Sequence, residues 1–173
     1  KTMAKSIVLK DVQSPQRLLD ETALFLHRVI SELPPEKQRM LETLHGSNEV
    51  LRNRSILVVD DDARNIFALT SLLENHEMDV LSTTSGRGAI DIIQKTPDLS
   101  LVLMDIMMPD MDGYQTMRDI RKSLEFRKLP IIALTAKAMK GDREKCLDAG
   151  ASDYISKPVN TDQLLSLMRV WLF

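Results

Sequence analysis

Acidic, hydroxyl and lysine side chains directly follow four short stretches of this sequence, at the positions where parallel strands would end. In chain order, these groups are Asp60, Asp61 and Asp62 after residues 56–59, Asp105 after residues 101–104, Thr135 after residues 131–134, and Lys157 after residues 154–156. Ligands of open α/β sheets bind outside the carboxyl ends of the strands. We therefore expect these groups to converge in one crevice that suits a divalent cation and a phosphoryl group.

The predicted crevice combines metal ligands with a nucleophile. Asp60, Asp61 and Asp105 are hard oxygen ligands that would repel one another without a cation. Mg²⁺ would resolve this conflict, because it binds through one or two carboxylates together with waters and phosphate oxygens. Asp105 is the central carboxylate and the best candidate for a nucleophile that forms an acyl phosphate. Thr135 and Lys157 would help to neutralise the charge of the transferred group.

The elements that must position these groups alternate between strand and helix from Ser55 to the end of the chain. The pattern predicts strands at 55–59, 79–83, 99–104, 130–134 and 153–156, each followed by a helix, at 63–75, from 85 to before 97, at 114–122, 142–149 and 161–172. Such alternation produces right-handed crossovers and a parallel sheet. The predicted fold class is therefore α/β, a doubly wound five-stranded parallel sheet with an N-terminal helical extension.

Residues 1–54 lack this alternation and are predicted to form two helices, near 15–31 and 36–44. Residues 6–10 and the stretch after them form a weak repeat of residues 153–157 and their own downstream neighbours. Any strand-to-helix junction would match about as well. We predict instead that residues 1–32 are the tail of a preceding, similar domain and that residues 33–54 are a connector. An isolated strand of that kind should seek a partner, so we expect association through residues 1–32, with a second chain or with the same one.

Composition argues against several classes of partner. A net charge of −2 provides no field to attract nucleic acid or an anionic membrane. The single cysteine, Cys146, excludes an internal disulfide framework and suits a reducing compartment. No apolar run approaches the roughly 20 residues that span a bilayer. We therefore expect a cytoplasmic protein without direct membrane contact.

Residues 55–173 resemble the receiver domain of two-component response regulators. The resemblance is carried by residues 58–62, by 104–109 with 111–113, by 133–136 and by 150–158. It implies a flavodoxin-like sheet of order 2-1-3-4-5. In its site, Asp105 would be the phosphoacceptor, and Mg²⁺ would be held by Asp60, Asp61, Asp105 and the backbone carbonyl of Met107. Thr135 and Lys157 would bind the phosphoryl group, and Thr135 and Tyr154 would form the conformational switch.

Residues 136–142 and the upstream segment look more like hybrid histidine kinases than like stand-alone regulators. The resemblance implies that the phosphoryl donor is a histidine kinase core or a histidine phosphotransfer protein. The parent chain would be a kinase, which can be membrane-anchored, and residues 1–32 would be the end of another receiver-like domain. The receiver itself would catalyse its own phosphorylation and dephosphorylation.

Two other classes of protein compete with this interpretation. Phosphohydrolases that form an aspartyl phosphate use a similar sheet, but they usually carry an acid–base aspartate two residues after the nucleophile. Here that position is Met107, which argues against the hydrolase. A scaffold that uses the sheet only for binding would not need the intact acidic site.

Overall fold

The computed structural model describes residues 48–136 and 141–173. The predicted tail at 1–32, its self-association, and residues 33–47 of the predicted connector lie outside the described residues. The division of this fold from the upstream residues therefore stays a prediction. Among the described helices, none is both long enough and apolar enough to cross a membrane.

The described residues form a five-stranded sheet in which all neighbouring strands are parallel. The strands are β1 Ser55–Val59, β2 Asp79–Thr83, β3 Leu99–Asp105, β4 Ile131–Thr135 and β5 Asp153–Ser156. Their spatial order is β2-β1-β3-β4-β5, which confirms the order predicted from the sequence. Because the strands are parallel, their carboxyl ends share one edge of the sheet, as the predicted crevice requires.

Helices follow the strands as the alternation predicts. In the described part of the chain they are α1 Ala63–Glu74, α2 Gly86–Lys95, α3 Gly113–Lys122, α4 Asp142–Asp148 and α5 Thr161–Leu172. Asp62 caps α1 by accepting a hydrogen bond from the Arg64 N–H, and Asn160 caps α5 in the same way. Gly150, with φ of +108°, ends the turn after α4 in the left-handed region that favours glycine.

Both faces of the sheet are covered, which explains why its central strands are continuously apolar. Alternate residues of β1 point to opposite sides: Leu57 and Val59 pack with residues of α2, α3 and α4, whereas Ile56 and Val58 pack with residues of α1 and α5. Each side of the sheet thus has a cluster of buried hydrophobic residues, so hydrophobic burial holds the sheet between its helix layers.

The strand ends differ slightly from the prediction, and the difference bears on the site. Asp105 is the last residue of β3 and is paired with Leu134, and Thr135 is the last residue of β4 and is paired with Ser156. Both polar residues thus continue the backbone ladder. Their positions are fixed by strand pairing, which is more rigid than a loop.

The segment just before β1 packs on the same core. Leu51 is fully buried in the cluster that Ile56 and Val58 of β1 form with residues of α1 and α5. Arg54 donates from Nε to the Val50 carbonyl oxygen and from a terminal nitrogen to that of Leu172, each at 3.1 Å. Residues 50–54 are therefore joined to the end of α5.

We predict that Leu51→Ala lowers the free energy of unfolding by about 2–4 kcal/mol, because it leaves a cavity in a close-packed cluster. Urea unfolding of the two proteins measures the difference. Arg52→Ala is the control, since Arg52 is exposed and its ion pair with Glu77 contributes at most about 1 kcal/mol. Equal, small losses in both variants would show that the core does not depend on Leu51.

Candidate functional site

The residues singled out from the sequence lie together at the carboxyl edge of the sheet. Asp60 follows β1, Asp105 and Thr135 end β3 and β4, and Lys157 follows β5. Lys157 Nζ lies 2.8 Å from Asp60 Oδ2 and 3.0 Å from Asp105 Oδ2. One ammonium group therefore bridges two carboxylates that come from different strands.

Three carboxylates form a cluster that can hold a cation. One oxygen each from Asp60, Asp61 and Asp105 lies within 4.8 Å of the others. Asp60 is 0% exposed and Asp105 is 3% exposed, whereas Asp61 is exposed to solvent. Two of the three carboxylates are thus fixed by burial, and the third faces the opening of the crevice. This donor set suits a hard divalent ion such as Mg²⁺.

Asp60 is held by more groups than the sequence predicted. Its Oδ1 accepts a hydrogen bond from the Asp62 N–H at 2.9 Å. The Asn65 amide nitrogen lies 3.0 Å from Oδ1 and 3.1 Å from Oδ2. Asn65 was not predicted from the sequence as part of this site. The available signal was a polar side chain in the first turn of a helix that starts beside the carboxylate.

The loop after Asp105 is packed tightly against the aspartate. The Met107 N–H donates to Asp105 Oδ1 at 3.2 Å, and the Gly113 N–H donates to the Ile106 carbonyl at 3.1 Å. A Cβ atom added at Gly113 would lie 2.3 Å from the Asp105 carbonyl oxygen, so only glycine fits there. The Met107 side chain is 54% exposed at the mouth of the site. The metal-binding role of its carbonyl stays a prediction.

Burial and ion pairing shift the pKa values of Asp105 and Lys157 in opposite directions. Burial raises the pKa of the Asp105 carboxyl, and hydrogen bonds from Lys157 and the Met107 N–H offset only part of this effect. Burial opposes the ammonium form of Lys157, but its hydrogen bonds to Asp60 and Asp105 outweigh this and raise its pKa. Lys157 is therefore a firmly protonated cation that faces the carboxylates.

Thr135 and Tyr154 lie on neighbouring strands and on the same side of the sheet. Thr135 is buried at the end of β4, and Ala133, two residues earlier, is paired with Tyr154 of β5. Tyr154 is partly buried against the cluster that also contains Ala133. Because side chains two residues apart on a strand share a face, Thr135 and Tyr154 are diagonal neighbours on that surface.

Comparisons of sequence identify a family and several relatives of this chain. The family model described as the response regulator receiver domain matches residues 56–169. The signal transduction histidine-protein kinase BarA of Escherichia coli is 36% identical over 155 residues, which cover 90% of this chain and 16% of the kinase. The polar-differentiation response regulator DivK of Brucella ovis is 33% identical over 120 residues, which cover 69% of this chain and 96% of DivK.

Solved structures agree with the sequence relatives. The receiver domain of sensor histidine kinase PA1611 from Pseudomonas aeruginosa, which has magnesium in its active-site cleft, is 35% identical with a TM-score of 0.65. That match covers 69% of this chain and 98% of the other. The BeF3-activated receiver domain of Klebsiella pneumoniae RstA is 34% identical with a TM-score of 0.63, covering 69% of this chain and 98% of that one.

The relatives differ greatly in length. The sensor histidine kinase GacS of Pseudomonas protegens is 36% identical over 151 residues, which cover 84% of this chain. The chain spans only 16% of the length of GacS and of BarA. By contrast, the match with DivK extends over nearly the whole of that regulator. With the sheet order, the family match and these relatives in agreement, the chain belongs to the receiver domain family of two-component response regulators.

Proposed function

We propose that this chain accepts a phosphoryl group from a phosphohistidine onto Asp105. The observation that carries the proposal is the bridging of Asp60 and Asp105 by Lys157, beside a third carboxylate, Asp61. A half-buried lysine at this position leaves the Asp105 carboxylate next to a cation that can also bind an incoming anion. Phosphoryl transfer depends mainly on such positioning and charge neutralisation.

The transfer needs little covalent chemistry from the protein. An Asp105 carboxylate oxygen attacks phosphorus, the bond from phosphorus to the histidine nitrogen breaks, and its electron pair remains on the imidazole. The product is an acyl phosphate on Asp105. Lys157 and the Thr135 hydroxyl are placed at the same edge of the sheet to contact the phosphoryl oxygens.

Mg²⁺ is the cofactor that the acidic cluster fits. We assign Asp60, Asp61, Asp105 and the Met107 carbonyl as its protein ligands. When bound, Mg²⁺ neutralises charge on the phosphoryl oxygens. The magnesium-containing receiver of P. aeruginosa PA1611 supports this assignment. In the described site, Met107 stands where a phosphohydrolase would carry its acid–base aspartate, and none of the relatives reported above is named as a phosphohydrolase.

The donor has to contact the rim of the site, since its histidine must reach Asp105. A groove of about 290 Å³ opens beside Asp60 and Lys157, between α1 and the start of α5. Its wall includes the apolar residues Ala68, Leu72, Pro158 and Val159. This groove offers apolar contact area for a histidine kinase core or a histidine phosphotransfer protein.

The parent of this receiver is, in our proposal, a hybrid histidine kinase of the cytoplasm or of the membrane's cytoplasmic side. Residues 1–32 would end a preceding receiver-like domain and residues 33–54 would connect the two. The BarA match supports a kinase parent, because its 155 aligned residues exceed the length of residues 55–173 and so include part of the upstream segment.

Acetyl phosphate with Mg²⁺ tests the proposed reaction directly. We expect a single phosphoryl adduct, detected by intact-protein mass spectrometry and mapped to Asp105 after borohydride trapping. Asp105→Asn should abolish the adduct while leaving thermal unfolding nearly unchanged, because the amide removes the nucleophile but little volume. Chelation of Mg²⁺ should also prevent the reaction. An adduct at another aspartate, or steady release of phosphate without an adduct, would contradict the proposal.

Replacement of the bridging lysine provides a second test. We expect Lys157→Ala to slow phosphorylation by acetyl phosphate at least about tenfold, because it removes a preorganised cation from the transition state. Lys145→Ala is the matched control: Lys145 is exposed on α4, 3.8 Å from Asp142, and should react as the wild type does. Equal rates for Lys157→Ala and the wild type would exclude the assigned role.

Thr135 and Tyr154 are proposed to couple phosphorylation to a change of shape. Phosphoryl oxygens on Asp105 would draw the Thr135 hydroxyl towards them, and the Tyr154 ring could then turn into the space beside Thr135. A ligand shifts a conformational equilibrium only through such differential contacts. The readout surface would consist of α4, β5 and α5.

Amide hydrogen exchange tests this switch. We expect beryllofluoride, a phosphoryl mimic, to change exchange rates in α4, β5 and α5 of the wild type. The change should be absent in Asp105→Asn and reduced in Thr135→Ala. Unchanged exchange on that surface, with beryllofluoride demonstrably bound, would count against the coupling.

A further inference from the structure

The side chain of Asn65 contacts a carboxylate that we assign as a metal ligand. Its amide nitrogen lies 3.0 Å from one oxygen of Asp60 and 3.1 Å from the other, so a single donor lies over both oxygens. Asp60 itself is completely buried. We propose that Asn65 is a positioning residue that fixes the orientation of the Asp60 carboxylate for Mg²⁺. This inference rests on the proposed function, because it concerns the same metal site.

The other donors to Asp60 cannot do this alone. Lys157 is shared with Asp105, and in the proposed reaction its ammonium group must also contact the phosphoryl oxygens. The Asp62 N–H binds only Oδ1. Asn65 remains bonded to Asp60 whichever anion Lys157 contacts. It holds both oxygens and therefore restricts rotation of the carboxylate.

The amide also suits the charge balance of the site. A neutral donor orients a buried carboxylate without adding positive charge, so it does not oppose the binding of a cation. A lysine or arginine in its place would neutralise Asp60 and compete with Mg²⁺. Partners of this kind, bonded to the ligands but not to the metal, commonly tune metal affinity.

Helix formation does not explain the choice of asparagine. Asn65 is the third residue of α1, and Asp62 already caps this helix through the Arg64 N–H. Asparagine is a weaker helix former than alanine, so removing its side chain does not weaken the helix through propensity. A role in positioning and a role in folding therefore predict different effects of substitution.

Calorimetric titration with MgCl₂ separates the two roles. We expect Asn65→Ala to bind Mg²⁺ about tenfold more weakly than the wild type, as is typical when a partner of a metal ligand is lost. At saturating Mg²⁺, its phosphorylation by acetyl phosphate should return to the wild-type rate. Asn75→Ala is the matched control, because it removes the same amide from the exposed, opposite end of the same helix.

Two results would overturn the proposal: Mg²⁺ affinity of Asn65→Ala equal to that of the wild type, or an equal loss in Asn75→Ala. Thermal unfolding shows whether Asn65→Ala is folded. If it is not, Asn65→Leu, which retains the side-chain volume, is tested in its place, and the same results are expected. A wild-type chain that takes up no phosphoryl group would instead refute the proposed function. Normal phosphorylation with unaltered Mg²⁺ binding in Asn65→Ala refutes only the role of Asn65.

Discussion

The contact of Lys157 with Asp60 and Asp105 is the interaction on which the rest of this site depends. Two buried carboxylates at the edge of one sheet are costly unless a cation and further donors compensate them. The ammonium group provides that charge from β5, 97 residues after Asp60 in the chain. The contact therefore forms only when β1, β3 and β5 are all in place. The charges of the site are therefore compensated only in a correctly assembled sheet.

The charge balance around this lysine explains how the site can take both a cation and an anion. One ammonium contacts two buried carboxylates, and a third, exposed carboxylate lies beside them. The excess negative charge attracts a divalent ion. Once such an ion is bound, the combined positive charge favours a phosphoryl group. The burial that raises the pKa of Asp105 also excludes water, which strengthens these electrostatic interactions.

The sequence predicted the sheet and most of the site, because strand periodicity and polar residues at strand ends are local signals. Asp105 and Thr135 each follow an apolar run, Lys157 follows a short strand, and parallel pairing brings the ends of these strands together. Leu51 and Asn65 gave no such signal. A single leucine ahead of a strand has no periodicity, and its burial depends on where α5 ends. The contact of Asn65 depends on the direction in which α1 leaves the sheet, which is a tertiary property.

The hydrogen bond from Arg54 to the Leu172 carbonyl joins positions 118 residues apart and brings the two ends of the described domain to one corner. That corner lies at the amino edge of the sheet, a strand length of roughly 15 Å from the carboxyl edge. The first and last residues of the described fold therefore lie at the edge of the sheet opposite to the one where Asp60, Asp105 and Lys157 meet.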